Sequence, residues 1–565
     1  MLKYKTFLLS AMLSFAIAAN LTAQSLPDST IKKINSLFSK WDTAQSPGCV
    51  VGIVRNDSLI FAKGYGMANL EYGIPNTPAT IFHMASVSKQ FTAYSIVLLA
   101  RQGKLGLDDD VRKYLAWFPD FGKKITIRNL LNHTSGIRDQ WQLLAIAGTR
   151  LNDVITQEQI IKILSKQQGL NFNPGDQFSY CNSNFTLLAE IVKSVSGKSL
   201  RKFTDSAIFK RLGMKDTHFH DDYTEIEKNR AYSYDRKDSA HFSNSILSYS
   251  TVGATSLFTN VKDLSKWLMN FYDTKAGDQQ DIVTLTQNGK LNDGKALDYA
   301  AGIYNVSYKG WKQYQHGGND AGYRTYISIF PELKTGFIVL GNISEVDARS
   351  KGNQMADLLI SDKNAANAAK AVEKKRESKV PGPDQAYLKN MLGDYISEEG
   401  NTLSLTLKND SLYYNVGNNA FLLVKDSVRT FSMFYAPAIK FSFSSQPIAQ
   451  SFNVNMPDEN YHFTRYLKKS VTDDQSLREY TGVYHSPELD CNYRIILKDH
   501  QLYLTNNKYS DAKLTMAGSD HLLNDNWWMD HLLIIRNKEH QITGFEVNSG
   551  RVVHLKFIKL RSHQK

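Results

Sequence analysis

Cysteine is scarce in this chain: Cys49, Cys181 and Cys491 are the only three in 565 residues. Three scattered thiols cannot build a disulfide framework or a cysteine-rich zinc site, so neither staples the fold. Proline (13) and glycine (34) are sparse too, and charged residues make up 22% against 42% hydrophobic. Disordered, collagenous and low-complexity readings thereby lose their compositional basis. No charge sign dominates locally. Lys and Arg total 67 and Asp and Glu 55, for a net charge of +12, but the two signs are interleaved rather than sorted into a stripe, which argues against nucleic acid as a partner. The one tight run, Glu373-Lys374-Lys375-Arg376, lies in a polar, Ala/Lys-rich stretch and reads as a solvated linker. Past the N-terminus no stretch approaches the roughly 18 uncharged apolar residues that a membrane span needs. What remains is a globular chain with room for three to four domains at about 150 residues each.

At the N-terminus Lys3 and Lys5 precede an apolar run from Phe7 to Ala19, and Leu21-Thr22-Ala23 offers a small residue before Gln24. This is the layout of a secretory signal peptide over residues 1–23, so export to the periplasm or the medium is expected. A retained anchor is the alternative, because Leu21 is a poor residue three places before an alanine cut. No cysteine follows the apolar run, so a lipoprotein anchor has no attachment point there.

From Cys49 to Ala62 apolar and polar residues alternate around Asn56-Asp57, which predicts a hairpin. Phe91 to Leu99 is a long apolar stretch without Gly or Pro and predicts a buried helix, with Ser86 close to its N-terminus. Helical periodicity runs from Ile127 to Leu212, broken at Asn173-Pro174-Gly175, whereas Tyr323 to Leu340 reads as two strands joined by Pro331-Glu332-Leu333-Lys334. Strands, a helical middle and strands again predict an α/β domain whose sheet is formed by both ends, with a helical insertion between them. This domain is expected over residues 24–360. Composition shifts at about Ser361, and Pro381-Gly382-Pro383 closes a linker over 361–384.

An internal repeat follows. Leu392-Gly393-Asp394-Tyr395, Leu403 to Leu407 and Leu412-Tyr413-Tyr414 are echoed about 90 residues later by Thr481-Gly482-Val483-Tyr484, Tyr493 to Leu497 and Leu502-Tyr503-Leu504. Both units alternate with period two and turn at Lys408-Asn409-Asp410 and Lys498-Asp499-His500, predicting two all-β modules over 385–470 and 471–565, small and barrel-like.

Three short motifs carry chemistry. Ser86-Val87-Ser88-Lys89 puts a hydroxyl and an amine three residues apart, on one face of a helix. A serine hydroxyl is a poor nucleophile until its proton is removed, and a lysine of depressed pKa can remove it. The spacing alone is weak, recurring at Ser29-Lys32, Ser199-Lys202 and Ser510-Lys513. Tyr180-Cys181-Asn182 adds a phenol that can shuttle a proton and an amide that can orient a substrate carbonyl or hold the lysine. His316-Gly317-Gly318 leads into Asn319, and glycines there allow close backbone approach. A main-chain N–H facing the reacting carbonyl, together with the N–H of Ser86, can then form an oxyanion hole.

With these elements in this order the chain resembles the serine β-lactamase and penicillin-binding-protein superfamily, in the branch of class C β-lactamases, D-aminopeptidases, D,D-carboxypeptidases and related esterases. The likeness extends to Phe82-His83-Met84-Ala85-Ser86-Val87-Ser88-Lys89-Gln90-Phe91-Thr92, to Ile127 through Ile137 and to Gly253 through Phe258, and spans about residues 30 to 350. It implies an antiparallel sheet flanked by helices, with a helical subdomain. It implies Ser86 as the acylated nucleophile, Lys89 and Tyr180 as coupled base and acid, Asn182 with Gly317 and Gly318 as substrate contacts, and the main-chain N–H groups of Ser86 and Asn319 as the oxyanion hole. His316, counted with the catalytic set, stands where β-lactamases usually carry lysine. A histidine is largely neutral near pH 7, so strong β-lactamase activity is not expected.

Other candidates read blandly. His133 has no partner at a ligand spacing and reads as a structural hydrogen-bonding residue. Asp108-Asp109-Asp110 lacks the rest of a calcium loop and reads as a helix start. Cys181 reads as packing. Trp527-Trp528 would suggest a carbohydrate platform only if exposed. No cofactor and no metal is expected. The expected function is an exported serine hydrolase acting through an acyl-enzyme on an amide or ester, most of all a D-amino-acid or cell-wall-type peptide. The alternatives are an esterase or weak β-lactamase of the same fold, or an inactive relative that binds peptidoglycan fragments or a partner protein. The oligomeric state is left open.

Overall fold

A computed structural model describes residues 26–363 and 385–561, apart from 398–399, 417–418, 428, 434–435, 445–448, 457–459, 468–472 and 518–519. The signal-peptide expectation at 1–23 and nearly all of the linker expectation lie outside the described residues. Helix α1 (Asp28–Phe38) leads into a hairpin of β1 (Cys49–Arg55) and β2 (Ser58–Tyr65). Asn56 makes the reversal at φ 44°, a left-handed conformation that asparagine tolerates. The chain continues through β3 (Phe82–His83), a tight turn at Ala85–Val87 and helix α2 (Ser88–Arg101). Every residue of α2 from Ser88 to Leu99 is buried, so its apolar run shows no solvent-facing stripe.

The helical middle contributes α3 (Gln140–Ile146) and α4 (Asn182–Ser196), the latter stopped by Gly197 at φ 70°. Next come β4 (His218–Phe219), β5 (Leu257–Thr259) and helix α5 (Val261–Met269). The domain closes with β6 (Tyr304–Tyr308), β7 (Trp311–Asp320), β8 (Tyr323–Phe330), β9 (Thr335–Gly341) and helix α6 (Ala348–Leu359). β8 and β9 are joined at Pro331–Leu333, at the predicted turn.

The main sheet is antiparallel with order β6-β7-β8-β9-β1-β2, so the two ends of the domain meet where β9 pairs with β1 from Cys49↔Gly341 to Arg55↔Thr335. The near-continuous apolar run of β1 has a simple cause: both sheet faces are covered. Val50 and Val54 face the core that contains Leu264 and Trp267 of α5, while Val51 and Ile53 face the core that contains Ile34 and Phe38 of α1 and Met355 of α6. A second, three-stranded sheet has the order β3-β5-β4. It ties the segment before Ser86 to the segments around His218 and Phe258.

Eight strands from Gly393–Ser397 to Asn460–Tyr466 close into a barrel in sequence order, and nine more from Gly482–Ser486 to Val552–Lys559 form a strongly curved sheet. The repeat read from the sequence is structural. Tyr395 and Tyr484 are both buried in the first strand of their module, and each donates its hydroxyl to the carbonyl four residues back, Met391 O at 2.8 Å and Tyr480 O at 2.6 Å. The first reversals match as well, with Asn409 and Asp410 at φ 49° and 60°, and Asp499 and His500 at φ 50° and 59°.

Candidate active site

Ser86 lies in the turn between β3 and α2, at the end of a short approach that stores strain. Ala85 adopts φ 48°, a left-handed conformation unfavourable for a residue with a Cβ, at a cost of order 1–3 kcal/mol. Surrounding bonds hold it there: Ala85 N donates to His83 Nδ1 (3.2 Å) and Leu257 N donates to Ser88 Oγ (3.0 Å). Because Nδ1 of His83 accepts, its Nε2 carries the proton and faces Thr255 Oγ1 at 3.1 Å, which in turn donates to Asp320 Oδ2 at 2.9 Å. The approach to Ser86 is thus hydrogen-bonded through to the end of β7.

One helical turn on, the fully buried Lys89 Nζ is 3.1 Å from Ser86 Oγ, 2.8 Å from Asn182 Oδ1 and 2.8 Å from Ala254 O. Burial drives its pKa down to about 7, countered in part by the Asp139 carboxylate and aided by the Arg551 guanidinium. This geometry suits a base. A neutral amine has two N–H donors, which Asn182 and Ala254 take, and one lone pair, which is left for the Ser86 hydroxyl. Asn182 is the first residue of α4. Its amide is fixed because its side-chain Nδ2 and main-chain N both donate to Asp139 Oδ2, at 2.8 and 2.7 Å.

Tyr180 comes from the extended segment ahead of α4, with Lys89 Nζ 4.9 Å from its ring centre. Its hydroxyl is buried without a geometric hydrogen-bond partner. Burial pushes the phenol well above its usual range, against the pull of the Ser86 hydroxyl. At neutral pH Tyr180 is therefore a protonated phenol beside Ser86, and Lys89 is the group whose lowered pKa suits it to accept a proton. Cys181 is buried with its thiol pushed up by desolvation, as packing requires. His133 is structural: Cys181 N donates to its Nδ1 at 3.1 Å.

Beyond Gln315, the last residue of β7 paired with β6, β7 has no strand neighbour on one edge among the described residues. Gly318 is needed for packing: a Cβ there would collide with Met84 O, in the loop that precedes Ser86, and with Thr325 Oγ1 of β8. Gly318 does not line the cleft, so the substrate contact expected of it passes to the chain it brings close. Gly317 does line the cleft, and a Cβ there would be 3.6 Å from its nearest neighbour, an ordinary contact. Ser86 and Asn319 line the same cavity of about 1280 Å³.

His316 is also in this cavity, buried, with its pKa taken down to about 3 by burial and then by the Lys89 charge. Its Nδ1 lies 2.6 Å from Gly317 O, which can only accept, so Nδ1 carries the proton and Nε2 accepts from the Tyr299 hydroxyl at 3.1 Å. His316 is neutral with both nitrogens engaged; it orders the aromatic wall of the site and supplies no charge. Residues 34–360 match the Beta-lactamase family model.

The chain belongs to the beta-lactamase family.

It shares 29% identity over 282 residues with a D-aminopeptidase of Brucella anthropi, 50% of this chain and 53% of that protein, and so spans about half that relative's length. Penicillin-binding protein 4* of Bacillus subtilis is 25% identical over 439 residues, 74% of this chain and 95% of the relative. Among solved structures, the octameric penicillin-binding protein homologue from Pyrococcus abyssi superposes with a TM-score of 0.52 at 24% identity, covering 78% of this chain and 99% of that one. At these identities the structural likeness speaks for the fold. Together the matches make this chain a serine hydrolase of the β-lactamase fold, related to D-aminopeptidases and penicillin-binding proteins.

Three residues of the site escaped the sequence reading. Asp139 caps α3 by accepting from Trp141 N and pins Asn182, a role hinted at only by an aspartate just before a helical run. Asp320 is partly buried beside Thr255, with its pKa raised by desolvation to about 6. Arg551 left no sequence signal. It sits between the strands Ile542–Ser549 and Val552–Lys559 of the second β module and enters the hydrolase cleft, its guanidinium 5.0 Å over the Tyr180 ring and 3.9 Å from Asp139 Oδ2. Trp527 of the same module, half exposed, and Met456 of the first module stand on the cleft rim.

Proposed function

We propose that this chain is an exported hydrolase that forms an acyl-enzyme on Ser86 and cleaves an amide or ester in D-amino-acid or cell-wall-type peptides, with preference for substrates that present a carboxylate. The observation that carries the reading is the Lys89 amine, buried, with two acceptors satisfied and its third direction occupied by Ser86 Oγ. Lys89 takes the hydroxyl proton as Ser86 Oγ bonds to the substrate carbonyl carbon. The N–H groups of Ser86 and Asn319 meet the oxyanion, and Tyr180 gives its proton to the departing amine or alkoxide and regains one from Lys89, which returns to the free amine. Water then cleaves the ester by the reverse roles. The names of the relatives, D-aminopeptidase and penicillin-binding protein, support the peptide class. Arg551 supports the carboxylate preference: His316 is neutral, and the half-exposed guanidinium brings a permanent cation to the cleft, with Asp139 at ion-pair distance. Export rests on the N-terminal sequence. Among the described residues no helix is long and apolar enough to cross a membrane.

A fluorophosphonate probe and a substrate panel test this. Wild type should be labelled and Ser86→Ala should not, and a D-Ala-D-Ala peptide with a free carboxylate should be cleaved faster than its C-terminal amide. Tyr180→Phe should lower kcat by about 10²–10⁴. Absence of labelling, together with no turnover of esters, β-lactams or D-peptides, would replace the enzyme with a binding protein.

A further inference from the structure

Away from the cleft, β4 begins the pattern His218-Phe219-His220. Alternate residues of an extended strand share a face, and His218 Nε2 and His220 Nδ1 converge to 3.3 Å. The following loop returns one carboxylate to each imidazole. Glu227 Oε2 lies 3.4 Å from His218 Nε2 and Glu225 Oε2 lies 3.8 Å from His220 Nδ1. His218, His220 and Glu225 alone offer ligand atoms within 4.8 Å of one another.

The loop that supplies these carboxylates has its polarity inverted. Ile226 is 88% exposed, whereas the Glu227 side chain next to it is turned inward and only 15% exposed. Leaving an isoleucine in water while desolvating a carboxylate is unfavourable on both counts, and such local violations mark functional positions. Among the described residues the one ion-pair partner of Glu227 is the His218 imidazole.

We propose that His218, His220, Glu225 and Glu227 bind a divalent transition-metal ion of the zinc type. Two imidazoles and two carboxylates are a mixed nitrogen and oxygen set that suits zinc, whereas calcium and magnesium favour oxygen alone. Zinc bonds of about 2.0–2.1 Å put tetrahedral ligand atoms roughly 3.3 Å apart, the spacing of the two imidazole nitrogens and close to that of Glu227 Oε2 from His218 Nε2; Glu227 stands outside the trio that already converges and swings in to complete the set. Arg201 acts from the outer shell. It grips Glu225 at 2.6 and 2.8 Å and Asp221 at 2.9 Å, and each carboxylate oxygen keeps a further lone pair for the ion. The bound ion ties the 221–227 loop to the sheet of β3, β5 and β4, whose central strand follows Ala254, the residue whose carbonyl receives Lys89. It acts as a structural clamp.

The test uses the untagged chain, stripped with a chelator, back-titrated with zinc chloride and dialysed. Elemental analysis should then find one zinc per chain, with a higher Tm than the stripped protein, and cobalt(II) in its place should give the visible absorption of a four-coordinate site. Glu227→Gln should weaken zinc at least about tenfold, and the His218→Ala/His220→Ala pair should abolish stoichiometric binding. Ser86 labelling by the fluorophosphonate reports that each variant is folded. Wild type that retains no zinc and shows no Tm change, or a Glu227→Gln variant that binds with unaltered affinity, would overturn the site.

Discussion

The two β modules share one pattern and meet the hydrolase domain differently. The first has a core of its own, built around Tyr395, Phe431, Phe441 and Phe452. In the second, Tyr484, Tyr493, Phe545 and Phe557 belong to one continuous apolar core with the helical part of the hydrolase domain. Polar contacts follow the same division. Arg138, almost fully buried, donates to Glu488 at 2.6 Å and to the carbonyls of Val553 and His554 at 3.0 and 2.8 Å. Gln142 donates to Trp528 O and Ser549 O and accepts from Arg551 N. A repeated sequence pattern therefore specifies a repeated fold, and the few residues outside the pattern decide which copy reaches the catalytic centre.

The largest effect expected from breaking this asymmetry comes from Arg138→Ala. It leaves Glu488 buried without its partner and should cost about 3–5 kcal/mol in chemical denaturation. Replacing both partners with apolar residues of similar size should cost less, since no lone charge is stranded. Next is Arg551→Gln, expected to lower kcat/KM for a carboxylate-bearing substrate by about tenfold, the effect of losing one charge-assisted hydrogen bond. The same change tests the sign of an electrostatic coupling. Arg551 helps hold Lys89 at about 7, and the reaction needs the free amine, so kcat/KM should rise with pH through that region. Removing the guanidinium should move the rise to higher pH; an unmoved profile would detach the second module from the chemistry.

Tyr395→Phe and Tyr484→Phe sharpen the comparison from the other side. Each removes a hydroxyl from a buried carbonyl at the equivalent position and should cost about 1 kcal/mol. Tyr395 should be the costlier of the two, because its one O–H is shared with Ala449 O at 3.1 Å and its oxygen accepts from Arg465. Smallest is Met456→Ala on the rim contributed by the first module, which should change stability by no more than about 0.5 kcal/mol and leave the pH profile in place.

Much of this was legible in the residues. The β1–β2 hairpin, the buried helix after Ser86 and the β8–β9 pair at Pro331 follow from periodicity and turn chemistry, which act over a few residues. The repeat was visible because Gly393 and Gly482, at φ 149° and 150°, and the two left-handed turns need the same residue types in both modules. The motifs around Ser86, Tyr180 and His316 could be found, but not the state of each group. Whether His316 carries charge depends on Tyr299 Oη and Gly317 O, and whether Lys89 is a base depends on Asn182 and Ala254. His218-Phe219-His220 was passed over because its carboxylates come from a later loop.

By itself the sequence determined the local elements, the doubling of the β module and the residue types able to perform acyl transfer, since these are set by side-chain chemistry and short-range periodicity. Only the tertiary structure decided that Asp139 pins Asn182, that burial lowers the Lys89 pKa to about 7, and that an arginine more than 350 residues from Tyr180 lies on its ring. The physical reason is that pKa values and ion pairs depend on burial and on distances through space, and both come into existence when segments remote along the chain pack together.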